Sequence, residues 1–197
     1  MKFIERLYYI LTYEEPKISK SISLSKSIFM FSTSLRALES KKRKNLSLTI
    51  REALEKDLPL MVEMLADDEL GSKREDTSNP LNPSYLSAFK NIVSDPNNEL
   101  IVVEKEDNII GMLQLTFIPY LSHSGSWRCL VEGVRIHKNF RGDGIGTIVF
   151  DWVIEYAREK GVNILQLTSD KQRPDAIRFY EGFGFKSTHE GLKLMLN

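Results

Sequence analysis

The sequence predicts an α/β (α+β) fold, with elements in the order βααβββαβαβ over residues 45–197. Three observations predict it. Short runs alternate apolar and polar residues between turn-forming clusters, as Leu46, Leu48 and Ile50 do against Ser47 and Thr49, which is the pattern of a half-buried strand. Other stretches repeat apolar residues three and four apart, the pattern of an amphipathic helix. One strand-like run, from Trp127 to Ile136, passes through an Arg- and Gly-rich turn directly into such a helix.

The elements follow in order. After the first strand, Asp57 is expected to cap a helix with Pro59 in its first turn and Leu58, Met61, Met64 and Leu65 on one face. Residues 71–82 read as loop. A second helix turns Tyr85, Phe89, Ile92 and Val93 inward and stops at Asp95-Pro96-Asn97-Asn98. Leu100–Glu104 and Ile109–Ile118 form a hairpin around Glu106-Asp107-Asn108. Trp127–Ile136 is the next strand. The helix after the glycine turn runs from Thr147 to about Lys160, turns Val149, Trp152, Val153 and Tyr156 or Ala157 inward, and closes at Gly161. Asn163–Thr168 is a strand, Pro174–Tyr180 a helix and Gly191–Leu196 the last strand.

Composition narrows the function. Twenty-seven basic and twenty-seven acidic residues cancel, which gives no global sign of a nucleic-acid or membrane partner. No apolar run reaches the eighteen residues of a membrane span. A single cysteine, Cys129, excludes an internal disulfide and fits a reducing compartment, so a cytoplasmic location is expected. Residues 1–44 form a distinct extension with ten Lys or Arg, four Glu and a run of serines. It reads as a tail, as an organelle-targeting segment, or as a helical arm with Phe3, Leu7, Ile10 and Leu11 on one face. His123, His137 and His189 have no metal-ligand spacing, so no metal is expected.

The turn itself carries the chemistry. A helix N-terminus leaves backbone N–H groups unpaired and carries partial positive charge, so the junction from Arg141 to Thr147 suits an anion such as pyrophosphate. Gly146 is followed by Thr147-Ile148, which excludes a P-loop, and the glycines at 142, 144 and 146 miss the spacing of a dinucleotide fingerprint. The pattern present is Arg-x-x-Gly-x-Gly, Arg141 to Gly146. Here the chain resembles the GNAT superfamily of acyl-CoA-dependent N-acyltransferases. A second stretch, Thr168 to Phe185, is similar to the family's late strand and last helix, with matches at Ala176, Phe179, Tyr180, Gly184 and Phe185. Arg173 stands where many members have Asn, so an Asn contact to the cofactor is not carried over.

The resemblance implies a mixed, mostly antiparallel central sheet flanked by helices, and acetyl-CoA as co-substrate. Pantetheine would lie along Val134, Arg135 and Ile136. The backbone of Gly142, Asp143, Gly144, Ile145, Gly146 and Thr147 would hold the pyrophosphate, with Arg141 adding charge and Arg173 nearby. Tyr180 matches the helix tyrosine that faces the CoA sulfur, which makes it the expected acid; the alternative is that it only packs the helix. Glu132 is the expected base, and its alternative is an ion pair with Arg128 or Arg135. His137 is a lesser alternative base, and Cys129 reads as a buried strand thiol. Tyr120, Trp127 and Arg128, or Asp67, Asp68 and Glu69, would meet the acceptor if they are not ordinary surface. The implied reaction moves an acetyl group to a primary amine of a small molecule by direct attack in a ternary complex. An acyl-CoA-sensing module, or acetylation of a protein or aminoacyl-tRNA amine, stays open, as does a homodimer.

Overall fold

The computed structural model describes residues 9–10 and 47–196. Its sheet runs in chain order: β1 (Tyr9–Ile10), β2 (Thr49–Glu52), β3 (Asn98–Lys105), β4 (Asn108–Pro119), β5 (Trp127–Ile136) and β6 (Ile164–Leu167). Neighbours are antiparallel except β5 and β6, which are parallel. This is the mixed, mostly antiparallel sheet expected. Helices α1 (Leu58–Ala66) and α2 (Pro83–Ser94) cover one face; α3 (Ile145–Glu159) and α4 (Pro174–Gly182) cover the other. A parallel pair needs a long crossover, and α3 supplies it between β5 and β6.

Strand alternation divides the core between the two faces. In β3, Ile101 and Val103 point toward α3 and α4, while Leu100 and Val102 point toward α1 and α2. The β3–β4 turn is two residues, Glu106 (φ 51°) and Asp107 (φ 63°), whose left-handed backbone matches the twist of a tight hairpin. Phe150 is fully buried at the centre of the α3 side, with the rings of Phe179, Tyr180, Phe183 and Phe185 within 5.0–6.2 Å of it. That cluster seats α4 on α3.

β5 contains the irregularity that shapes the site. Cys129 and Val131 point to the α3 side, and so do Val134 and Ile136, although strict alternation would have put the latter pair on the opposite face. An extra residue makes the change: the β4–β5 register shifts between Met112 and Gln114, and Gly133 sits there at φ +59°. This β-bulge places Glu132 and Arg135 both on the α1/α2 side. It also bends the strand. β5 pairs with β6 only from Arg128 to Val131, and from Glu132 onward its outer edge has no partner strand among the described residues.

Several expectations are corrected. Asp57 does not cap α1 with its side chain. A 3-10 turn (Glu55–Asp57) precedes the helix, and the Asp57 carboxylate accepts instead from Leu54 N–H (2.8 Å) and Arg51 (2.7 Å). Val93 is 53% exposed, because the inward stripe of α2 falls on Tyr85, Phe89 and Ile92. α3 begins at Ile145 rather than Thr147, since Gly144 at φ +78° already sets the helix entry. Residues 191–196 are not a strand: they pair with no neighbour and leave Leu192, Leu194 and Leu196 exposed. Tyr9–Ile10 is extended and pairs with Ile50 and Thr49, so helical spacing does not hold there. The rest of residues 1–44 lies outside the described residues.

The Arg51–Asp57 pair, extended by Arg51 to Glu104 (2.9 Å), locks the start of α1 to β2 and β3. Burial pushes the Asp57 carboxyl up, but bonds from Arg51 and Leu54 outweigh this and hold it below its ordinary value. Asp57→Ala removes one of the two carboxylates that hold Arg51, together with the acceptor of Leu54 N–H, and should cost about 2 kcal/mol, read by chemical denaturation. A depressed carboxyl contributes stability above its unfolded value, near pH 4, and loses it as pH falls through the folded one. The stability advantage of the native chain over Asp57→Asn should therefore shrink between pH 7 and pH 3.

Candidate active site

The free edge of β5 leads toward the glycine loop. After Ile136, a 3-10 turn (Lys138–Phe140) is capped by His137, whose Nδ1 accepts from Asn139 N–H (3.3 Å), so this nitrogen is already engaged. The chain then passes Arg141 to Gly144. Thr147 N–H and Ile148 N–H both turn back onto Gly144 O, at 3.1 and 3.3 Å. Among the described residues the N–H groups from Gly142 through Gly146 have no acceptor, and they lie at the positive end of α3.

Residues of the loop divide into backbone donors and packing groups. The Ile145 side chain is buried in the core, so only its N–H is available to a ligand. Gly146 lies in the first helical turn, where a Cβ would meet the Phe179 ring at 3.4 Å; its smallness lets α3 approach α4. At Gly144 a Cβ would meet nothing, and the constraint there is the left-handed backbone. Asp143 is exposed.

Two acidic residues after α1 reach across to this region. Asp67 pairs with Arg141 at 2.8 Å, and Arg141 also donates from Nε to Ile136 O (2.9 Å). Asp68 holds Arg173, which immediately precedes α4, at 2.5 Å, and lies 3.6 Å from Arg135. Asp68 and Arg173 thus meet across the open end of β5, joining the two layers of helices. Burial raises the Asp68 carboxyl, while the Gly71 N–H with Arg135 and Arg173 brings it below its ordinary value. With Val134, Ile136 and Ala176 these arginines line an open cleft of about 460 Å³. Arg135 donates to Val134 O, yet its Nε is buried with no partner, a cationic donor left over inside the cleft wall.

Tyr180 borders the same region from α4. Its ring packs on Phe150 at 5.0 Å, and burial pushes its phenol above the ordinary value against the opposing pull of Arg135 and Arg173. Glu132 is exposed on β5, opposite Gln114 in register, and makes no ion pair among the described residues; the pairing with Arg128 or Arg135 does not occur, since Arg135 turns to Asp68. Tyr120 meets His123 edge-on (5.5 Å) and lies under Arg128 (5.4 Å), anchoring the loop after β4. Arg128 lies six residues before Val134 along β5, about 20 Å away, which puts that loop outside the cleft. Glu69 pairs with Lys73 on the surface. Among the described residues, no group of three or more His, Cys, Asp or Glu is placed to hold a metal, and no helix is long and apolar enough to cross a membrane.

A mostly antiparallel sheet, opened where β5 outruns β6 and followed by a glycine loop at a helix N-terminus, is the arrangement of an acetyltransferase. The chain belongs to the acetyltransferase (GNAT) family, whose model matches residues 62–185. It is 58% identical to a transcriptional regulator from Bacillus halodurans C-125, with a TM-score of 0.73 over 76% of this chain and 99% of that one. It is 27% identical to the aminoalkylphosphonate N-acetyltransferase of Salmonella typhimurium over 54% of this chain and 68% of that one. A predicted acetyltransferase of Clostridium acetobutylicum, crystallised with acetyl-CoA, shares the fold (TM-score 0.59, 23% identity, 76% and 96% covered).

The structure brings Val134, Arg135, Ile136, Arg141 and Arg173 into one cleft, with Tyr180 close enough to feel Arg135 and Arg173; the loop from Gly142 to Thr147 continues from Arg141 and does not itself line that cleft. The sequence left Asp67 and Asp68 between attracting an acceptor amine and solvated surface; they are ion-paired to Arg141 and Arg173. A run of acids closing a helix shows only that charge is concentrated there, not which arginine answers it. Cys129 is fully buried, and burial pushes its thiol up to about 12. It should stay unlabelled by a disulfide reagent in the folded protein and react once the chain is denatured.

Proposed function

We propose that this protein transfers an acetyl group from acetyl-CoA to a primary amine of a small molecule, by direct attack within a ternary complex. The observation that carries the reading is the unpaired edge of β5, Glu132 to Ile136, followed after one 3-10 turn by the N–H groups of Gly142–Gly146, which have no acceptor among the described residues. An extended thioester arm ending in a pyrophosphate fits that edge and that loop. When bound, acetyl-CoA supplies the activated acyl group. Glu132, exposed and unpaired, accepts the proton that the attacking amine gives up as its bond to the acyl carbon forms. Tyr180, which keeps its proton at neutral pH, donates it to the sulfur as the carbon–sulfur bond breaks. Arg135 and Arg173 hold positive charge beside the phenol.

A second reading, an acyl-CoA-binding module without turnover, is favoured by the description of the 58%-identical Bacillus protein as a transcriptional regulator. Release of thiol from acetyl-CoA in the presence of an amine rejects it.

Binding is tested first by thermal unfolding of the full chain with acetyl-CoA, ATP or NAD. At about one hundred times the dissociation constant, acetyl-CoA should add about 2.7 kcal/mol. For a chain of this size that is a midpoint shift of roughly 5–10 °C. Gly144→Val should abolish this shift. Gly161→Val, which meets the same left-handed strain (φ +73°) at the far end of α3, should lower the midpoint yet keep the shift. If Gly144→Val retains the shift, the loop does not hold the phosphates.

Turnover is tested with Tyr180→Phe, which keeps the ring on Phe150 and removes the proton donor. The rate should fall about 100-fold with the acetyl-CoA shift intact. An unchanged rate would leave Tyr180 as packing alone.

A further inference from the structure

A second cavity lies on the opposite side of the bulge. It encloses about 190 Å³ between α1, α2 and the sheet. Its lining is apolar, with Met61 and Leu65 from α1, Phe89 from α2, Leu100 from β3 and Met112 from β4. Tyr85 gives it a ring but turns its hydroxyl away, donating to Glu75 and accepting from Asp76 N–H, both at 2.9 Å. The cavity meets β5 at Gly133, and the very next residue, Val134, lines the arginine cleft. Two consecutive residues of one strand thus belong to two different pockets, with the bulge as their junction. A reacting group held at the junction has the donor cleft on one side and this cavity on the other.

The junction also carries acceptors for an amine. Gln114 is the polar side chain in the lining, and its amide nitrogen donates to Asn98 at 3.2 Å, so its carbonyl oxygen is free to accept. Its register partner across β4 and β5 is Glu132, which places both side chains on one face of the sheet at one level. An amine N–H directed at these two oxygens would leave its substituent among Met112, Leu65 and Phe89. An acyl chain would have nothing to offer Gln114 and Glu132. A dry cavity of about 150 Å³ accepts a benzene ring, so this one is large enough for a phenyl or branched aliphatic group but not for a whole sugar.

We infer that the acceptor is a primary amine with a compact apolar substituent, phenyl or branched aliphatic, which the cavity between α1 and α2 receives while Gln114 and Glu132 hold the nitrogen. This rests on the acetyl-transfer reading and narrows its acceptor to one chemical class. It sets the chain apart from its Salmonella relative, named for an acceptor that bears a phosphonate.

The test uses the full chain and two groups of amines: phenethylamine and isoamylamine against ethanolamine, glucosamine and 2-aminoethylphosphonate. Thiol release should show kcat/KM at least about tenfold higher for the apolar pair. Ala88 lines the cavity from the exposed surface of α2, so a larger side chain fits there without disturbing the core. Ala88→Phe should cut kcat/KM for the apolar amines by about tenfold or more, and should remove the rise in unfolding temperature that they give in the presence of CoA. Its acetyl-CoA shift should stay as in the native chain. Preference for the polar amines, or apolar-amine binding that survives Ala88→Phe, overturns the inference while leaving acetyl transfer intact. So does a preference for hexanoyl-CoA over acetyl-CoA that Ala88→Phe abolishes, which would assign the cavity to the acyl chain. Absence of any acetyl-CoA shift sinks the donor reading instead, and apolar-amine stabilisation lost in Ala88→Phe would still be read without it.

Discussion

The bulge at Gly133 is the constraint on which the rest of the site depends. A strand with strict alternation would have sent Val134 and Ile136 to the α1/α2 face and Arg135 into the apolar layer beneath α3. The inserted residue reverses that order, keeps both aliphatic side chains on the α3 core and turns the guanidinium toward Asp68. It also ends the pairing of β5 with β6 at Val131. Without the bulge there would be neither an open edge nor a junction between two pockets. A residue other than glycine at φ +59° would work against it, because a Cβ disfavours left-handed backbone.

The carboxylates after α1 complete what the bulge begins. An opened sheet edge is a weak point, since β5 loses its neighbour just where the chain enters a glycine-rich loop. Asp67 and Asp68 answer this from the opposite layer, one fastening Arg141 of the loop and the other fastening Arg173 ahead of α4. Arg141 is half exposed, so its pair with Asp67 adds little stability in water. Its worth lies in orientation: it presents the loop at a fixed angle to the strand that feeds it. The same pairs temper the positive charge of three arginines that face one cleft.

Much of this was legible in the residues. β5 occupies the span read from its pattern, Trp127–Ile136, because its apolar residues are bounded by a Ser/Gly cluster before and the Arg- and Gly-rich turn after. The Arg-x-x-Gly-x-Gly turn led to the loop, since glycine spacing before a helix is a local property. What escaped depends on distant partners. The Leu192, Leu194 and Leu196 alternation has the form of a strand, yet a strand exists only when an edge receives it, and none does. Asp57 has a capping residue's sequence position, but Arg51, six residues upstream and brought close by β2, claims its carboxylate. The apolar cavity was hidden for the same reason, because Gly133, Gln114 and Ala88 look unrelated along the chain.

The strand order has a consequence for how the chain reaches this form. β3, β4 and β5 are joined by short connections and pair with their immediate successors, so this meander closes with small loss of chain entropy. β6 can join only after α3 has crossed over, and it then contributes four residue pairs. Pairing across such a separation is slow relative to hairpin closure. The α1/α2 pocket rests largely on the early-closing meander, whereas the arginine cleft waits for the late crossover. The two pockets therefore belong to different stages of folding, and the arginine cleft is the one assembled last.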